Sequence, residues 1–262
     1  MIIDGHSHVT LPVEVHLNNM EKAGINKTIL FSTTFHPELS QNANEVIDSI
    51  NYLNDLLSGK KGSLLQARTN ANTELLKTIQ AHPTKYLGFG SVPAGLSLEE
   101  TSAFIQTNIC ENGFLGMGEF TFGAGKVSLM EPVFLANEYF FNLPIWIHGF
   151  YPLERSDIYE IASFAKRFPK TPVILGHLGG FYWTDALTLA KEIPNLYLDT
   201  SAYYSTFVLK TIINEVPEKC IFGVDVPFGD LALSVETIKT ITDSPQVLSA
   251  VFEGTISKIL KL

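Results

Sequence analysis

Ile3-Asp4-Gly5-His6-Ser7-His8 decides the fold, because this segment joins a short apolar strand to two histidines at its end. Side chains two residues apart in a strand point to the same side, so His6 and His8 can project together. Imidazole suits zinc, and also manganese, iron or nickel. The segment therefore predicts a strand whose C-terminal end carries part of a metal site.

Seven further apolar runs follow this strand, and longer helical patterns alternate with them. The predicted strands cover residues 1–6, 27–32, 86–92, 113–118, 144–147, 172–175, 196–199 and 220–224. Their apolar residues are continuous rather than alternating, which is typical of parallel strands covered on both faces. The predicted helices cover residues 13–23, 43–57, 98–111, 127–141, 156–168, 183–192, 206–216, 231–240 and 245–260.

Eight strand–helix units in 262 residues predict an α/β fold, a single (β/α)₈ TIM barrel that spans residues 1–262 as one domain. A doubly wound open sheet is the alternative, although it would usually need fewer strands or a second domain. Two polar stretches, residues 33–41 and 60–72, lack a clear pattern. We expect both to be loops that cover the substrate, because barrel function lies in the βα loops.

The amino-acid composition limits the classes of partner that the protein can bind. Apolar residues make up 45% of the chain and charged residues 17%, so a large core can form. The net charge is -9 without a basic block, which disfavours nucleic-acid binding. We expect no secretory signal, because residues 1–4 already have the pattern of a strand, and no apolar run reaches the ~20 residues of a membrane span. We expect a cytoplasmic protein in which Cys110 and Cys220 are reduced. Its expected partner is a small-molecule substrate, and a homodimer is possible.

Four more chemically capable side chains stand at the ends of predicted strands. Glu119 ends strand four, His148 strand five, His177 strand six and Asp225 strand eight. In a barrel, all strand C-termini meet on one face. Together with the two histidines of strand one, six metal-competent side chains should therefore converge there.

The strand-one segment resembles the signature of the amidohydrolase superfamily, and His148, His177 and Asp225 stand where that superfamily has its strand-five, strand-six and strand-eight residues. Segments 23–27, 82–93, 176–180 and 222–228 are similar to the amidohydrolase-2 branch, which includes the aminocarboxymuconate-semialdehyde decarboxylase-like enzymes. Glu119 departs from the branch, which often lacks a strand-four ligand. The Gly-Glu turn at this position resembles the strand-four carboxylate of TatD-like members, which supports a second ion.

The resemblance implies one or two divalent ions, with zinc the first expectation and manganese, iron or nickel the others. His6, His8, His148 and Asp225 would hold the principal ion. His177 would bind a second ion or hydrogen-bond the metal-activated water, and Glu119 would bind or bridge if two ions are present. Asp225 is then suited to act as general base.

The leading expectation for function is metal-dependent hydrolysis of a small molecule with an ester, lactone or amide bond. Glu119 favours hydrolysis because the decarboxylases of the branch mostly lack a strand-four ligand. The first alternative is non-oxidative decarboxylation of an aromatic or unsaturated carboxylic acid. The second is a non-catalytic metal-binding barrel, and a TatD-like nuclease is a minor option.

Substrate contacts are expected from residues in the loops that follow the strands. His36, Phe150 and Tyr182 are candidates, since apolar and aromatic side chains commonly line pockets. Arg155 and Arg68 are candidate anchors for an anionic substrate, and we prefer Arg155 because it follows strand five. Two further acids are expected to support the site rather than bind the metal: Asp4 should brace strand one, and Asp199 should orient a ligand or a loop.

Overall fold

The computed structural model describes residues 1–262 and contains one eight-stranded parallel sheet with its strands in chain order. The (β/α)₈ barrel is confirmed. The strands are β1 (Ile3–His8), β2 (Lys27–Phe31), β3 (Tyr86–Gly90), β4 (Gly116–Phe120), β5 (Ile145–Ile147), β6 (Val173–Leu175), β7 (Leu196–Asp199) and β8 (Cys220–Ile221).

The sheet closes where the chain that follows β8 runs beside β1. The amide of Gly5 donates to the Phe222 carbonyl at 2.7 Å, and the amide of Val224 donates to the His6 carbonyl at 3.0 Å. A Cβ atom at Gly5 would lie 2.6 Å from the Ile221 side chain, so this close approach requires a glycine. Closure places the end of β1, with its histidines, beside the segment that carries Asp225.

Eleven α-helices surround the sheet. They are α1 (Val13–Ala23), α2 (Ala43–Leu57), α3 (Leu64–Ala81), α4 (Leu98–Ile105), α5 (Glu131–Ala136), α6 (Arg155–Arg167), α7 (Trp183–Glu192), α8 (Thr206–Glu215), α9 (Leu231–Ile241), α10 (Pro245–Ser249) and α11 (Thr255–Leu260). None of them is both long and apolar enough to cross a lipid bilayer.

Helix α3 corrects the sequence prediction, because residues 60–72 were expected to be an irregular loop. The Ser63 side chain accepts a hydrogen bond from the Gln66 amide and so caps the helix. The buried positions have helical spacing but are partly polar, namely Arg68, Ala71, Asn72, Leu75 and Thr78. A hydrophobic pattern cannot reveal a helix whose buried stripe is polar.

Three predicted helices are interrupted in the structure. Each contains a five-residue π-helical stretch, at residues 106–110, 137–141 and 250–254. Apolar periodicity over a short window does not distinguish such a stretch from an α-helix. The irregular segment predicted at residues 33–41 is confirmed apart from a short 3₁₀ turn, Pro37–Leu39.

The barrel interior is filled by an apolar plug. It consists of Ile3, Ile29, Phe31, Phe89, Trp146, Ile174, Ile221 and Ile256, each of which is fully buried. The His6 ring packs directly on this plug, with its centroid 4.6 Å from that of Phe31. The polar cluster at the strand ends therefore rests on fully buried, apolar side chains.

Candidate metal centre

The structure brings His6, His8, Glu119, His148, His177 and Asp225 together at the C-terminal ends of the strands. Within this set, His6, His8 and Asp225 have ligand atoms within 4.8 Å of one another. The other three, Glu119, His148 and His177, form a second group that meets the same limit. The centre thus has two halves, each with two imidazoles and one carboxylate.

Glu119 lies between the two halves. Its Oε1 atom is 3.1 Å from His177 Nε2 and 3.2 Å from His148 Nδ1. Its Oε2 atom is 3.7 Å from His6 Nε2 and 3.9 Å from His8 Nε2. The two oxygens of one carboxylate therefore face different histidine pairs, which is the arrangement that a bridging ligand requires.

The first half contains a buried atom without a partner. His6 Nε2 makes no hydrogen bond, and its nearest carboxylate oxygens, on Glu119 and Asp225, are 3.7 and 3.9 Å away. A buried polar atom left unpaired is costly, and these separations exceed a hydrogen bond. His8 Nε2 lies 3.3 Å from the same Asp225 Oδ1 atom. These donors fit a cation among His6, His8 and Asp225.

The charges of the cluster also fit a cation. Burial alone would lower the pKa of His6, but Asp199 and then Glu119 outweigh it and raise that pKa to about 10. Burial opposes ionisation of Glu119, yet His6 and His148 hold the pKa of its carboxyl well below 4.5. Without a metal, protonated imidazole balances the carboxylates. A divalent ion takes over this role when it displaces the protons.

Asp199 fixes the orientation of the histidines from beneath. The His6 ring donates from Nδ1 to Asp199 Oδ2 at 2.7 Å, which directs Nε2 into the cluster. His177 Nδ1 lies 2.9 Å from the Ser201 hydroxyl, which itself donates to Asp199 Oδ2 at 2.6 Å. Gly223 makes room for this carboxylate, since a Cβ there would lie 2.3 Å from Asp199 Oδ1. One buried acid thus sets two ligand rings, a common arrangement at metal sites.

Two of the candidate ligands have strained backbone. His177 has φ 54° and Asp225 has φ 66°, both in the left-handed region that favours glycine. Such a conformation costs on the order of 1–3 kcal/mol and persists only where the surroundings enforce it. The Asp225 amide donates to the His6 carbonyl, and the Asp225 carbonyl accepts from the amides of Phe228 and Gly229. These bonds hold Asp225 against the histidines of β1.

The residues predicted to contact substrate pack against different neighbours in the structure. His36 is hydrogen-bonded to Glu38 at 2.9 Å and to Glu74 at 3.0 Å. Phe150 packs on Phe181, with ring centroids 5.0 Å apart. Tyr182 is partly buried and packs against the main hydrophobic core.

Arg155 is already paired, which weakens its candidacy as an anion anchor. Its guanidinium donates two hydrogen bonds to the Asp185 carboxylate, at 2.9 and 2.7 Å, and its side chain is 65% exposed.

Sequence reasoning did not identify Ser201 at all. The signal was present, because Ser201 follows Asp199 at the strand-end spacing of two residues seen in the two histidines of β1.

A cavity of about 470 Å³ lies on the same face of the barrel as the centre, between the segments that follow β3 and β4 and helices α2 and α3. Phe120, which directly follows Glu119, forms part of its wall together with Phe122. Leu57 of α2 and Arg68 of α3 close another side. The cavity is large enough for a small organic molecule.

A barrel with four histidines and two carboxylates gathered at the ends of its strands defines a metal-dependent enzyme. A family model described as Amidohydrolase, Amidohydro_2, matches residues 3–262. The chain therefore belongs to the Amidohydro_2 family of amidohydrolases.

Solved structures of similar fold cover the whole chain. The 5-carboxyvanillate decarboxylase of Sphingomonas paucimobilis superposes with a TM-score of 0.69 at 17% identity, covering 100% of this chain and 99% of the other. A dihydroxybenzoic acid decarboxylase from Polaromonas sp. JS666 with bound manganese gives 0.67 at 16% identity, covering 100% and 97%. The 4-oxalomesaconate hydratase of Rhodopseudomonas palustris gives 0.65 at 15% identity, covering 100% and 96%. No curated protein matches the chain by sequence.

Proposed function

We propose that the protein hydrolyses an ester, lactone or amide bond of a small molecule with one or two divalent ions. The observation that carries this proposal is the position of Glu119, whose two oxygens face the two histidine pairs. A bridging carboxylate suits a two-ion hydrolytic centre, in which both ions act on one reacting group.

The residues divide the work between the two halves. His6, His8 and Asp225 would hold one ion, and His148 and His177 the other, with Glu119 shared. A divalent ion supplies a nucleophile at neutral pH by acidifying water, and it polarises the bond that breaks. Zinc suits these nitrogen and oxygen donors, and manganese is the second candidate because it occupies the Polaromonas enzyme of similar fold.

Asp225 is the best-placed general base. Its Oδ1 atom lies 3.3 Å from His8 Nε2 and 3.9 Å from His6 Nε2, so the carboxylate faces the same space as these two imidazoles. It would take a proton from the attacking water at Oδ1 and pass it to the leaving group. His177 Nε2, with its other nitrogen on Ser201, would orient the reacting oxygen or bind the second ion.

Decarboxylation is the second candidate function, because two of the similar structures described above are decarboxylases. In that reaction a single ion would suffice, without Glu119 among its ligands. The substrate would then be an aromatic or unsaturated carboxylic acid that releases CO₂.

The two functions separate in one experiment. Protein loaded with zinc or manganese is analysed for ions per chain, then assayed on a panel of esters and lactones and on a panel of aromatic acids for CO₂ release. We expect two ions and hydrolysis, and for Glu119→Gln one ion and a loss of turnover of roughly 100-fold or more. Glu131→Gln, at a surface carboxylate paired with Arg167, is the matched control. One ion in both proteins, with CO₂ release and no hydrolysis, would establish the decarboxylase instead.

A further inference from the structure

Arg68 is a buried cation without a counter-ion. It lies in the first half of α3 and is only 9% exposed. No carboxylate forms an ion pair with it, its Nε atom is buried without any partner, and its one hydrogen bond runs from NH1 to Ser91 Oγ at 3.3 Å. Burying a charge in this way is unfavourable unless something pairs with it.

The surrounding fold does not need this charge. The Ser91 amide already donates to Asn72 Oδ1 at 2.9 Å and to Ser32 Oγ at 3.1 Å. The Ser32 hydroxyl donates to Ser91 Oγ at 2.7 Å, so that hydroxyl has a partner without the arginine. An apolar side chain of similar length could occupy the same space and leave these contacts intact.

The guanidinium remains charged at neutral pH. Burial lowers the pKa of Arg68 to about 10, although the charge of Glu119 opposes this. Ser91, which the guanidinium contacts, directly follows β3, the strand next to the one that carries Glu119. The positive charge of Arg68 therefore attracts an anionic group that enters the neighbouring cavity.

Arg68 lines the 470 Å³ cavity, which lies beside the segments that follow β3 and β4, on the same face of the barrel as the metal centre. The lining also includes Phe120 and Phe122, whose rings stack with an interplanar angle of 8°. Lys126 provides a second cation, and no acidic residue lines the cavity. A cavity with apolar walls and cations fits an apolar molecule that carries an anionic group.

We propose that Arg68 is a specificity-determining residue that binds a carboxylate of the substrate, while a different bond of the same molecule reaches the metal centre. This inference rests on the proposed function and names its substrate class: a small, mostly apolar ester or lactone that carries a carboxylate. The carboxylate binds to the guanidinium and stays intact, while the bond that is hydrolysed lies at the metal centre.

Binding of benzoate and of its neutral counterpart benzamide to the metal-loaded protein tests the assignment without catalysis. We expect the wild type to favour benzoate, and Arg68→Met to weaken benzoate binding by roughly tenfold or more while leaving benzamide binding unchanged. Arg68→Lys should retain part of the preference. Arg155→Met is the matched control, because that arginine is exposed and paired, and it should bind both molecules as the wild type does.

Thermal unfolding separates ligand binding from a structural part. Without ligand, Arg68→Met should unfold at the same temperature as the wild type or higher, because replacing an unpaired buried charge removes its desolvation penalty. Unchanged benzoate binding in Arg68→Met would overturn the proposal. So would a lower unfolding temperature that Arg68→Lys restores, since Arg68 would then be a structural residue.

Kinetics connect the assignment to the reaction. For 4-acetoxybenzoate compared with phenyl acetate, we expect Arg68→Met to reduce the ratio of kcat/KM values by roughly tenfold or more and Arg155→Met to leave it unchanged. An unchanged ratio in Arg68→Met would contradict the specificity assignment. If the wild type binds benzoate through Arg68 but hydrolyses no ester or lactone, the proposed reaction fails while the anion site stands.

Discussion

Replacing Asp199 by asparagine tests how the metal centre is supported. The carboxylate accepts from His6 Nδ1 at 2.7 Å and from the Ser201 hydroxyl at 2.6 Å through Oδ2, and from the Ser201 amide at 2.8 Å through Oδ1. Asparagine has nearly the same shape but only one accepting oxygen. Either orientation of its amide therefore sets an N–H group against at least one of these donors.

The magnitude follows from this loss. A buried donor left without an acceptor costs about 1–3 kcal/mol, so the metal-free variant should lose stability of this order. The His6 ring also loses the anion that fixes its tautomer and raises its basicity. Loss of such a supporting carboxylate typically weakens metal binding about 10–100-fold, which corresponds to roughly 1.4–2.8 kcal/mol.

Two measurements check this expectation. Zinc affinity is measured by competition with a chromophoric chelator, and stability of the metal-free protein by urea unfolding. Asp185→Asn is the matched control, because its carboxylate pairs with Arg155 and Tyr159, and its zinc affinity should be unchanged. Wild-type zinc affinity in Asp199→Asn would refute the reasoning, since Asp199 could not then be what orients the ligand rings.

Two further predictions concern Asp225 and His36. Asp225→Asn should retain the folded structure but lose turnover about 100-fold or more, as expected for the general base, and a near-normal rate would show that another group takes the proton. The pKa of His36 lies above 6.5 because Glu74, and to a lesser extent Glu38, outweigh its burial, so the stability this histidine contributes is complete below pH 6.5 and is lost as pH rises through its folded pKa. His36→Gln should cost about 1 kcal/mol at pH 6 and less at pH 9 in urea unfolding, and an equal cost at both would contradict the pairing.

The sequence was sufficient to predict the barrel and the convergence of the strand-end residues for a common physical reason. Parallel strands buried on both faces leave continuous apolar runs, and ligands at their ends lie next to those runs in the sequence. His148 and Asp225 could therefore be assigned to one face of the barrel without knowledge of any contact between them. No pattern of this kind exists where a polar stripe is buried, which is why α3 was mistaken for a loop.

The choice between Arg155 and Arg68 shows where sequence reasoning must stop. Arg155 has the better position along the chain, at the end of the loop after β5, yet Asp185 of α7 neutralises its charge. Arg68 lies on a helix rather than at a strand end, yet no carboxylate forms an ion pair with it, and its one hydrogen bond is to Ser91. Whether a charge is matched is decided by elements that pack together from distant parts of the chain. A buried charge that the fold leaves unmatched breaks the usual rule of protein interiors, and such violations are expected where a protein binds its ligand.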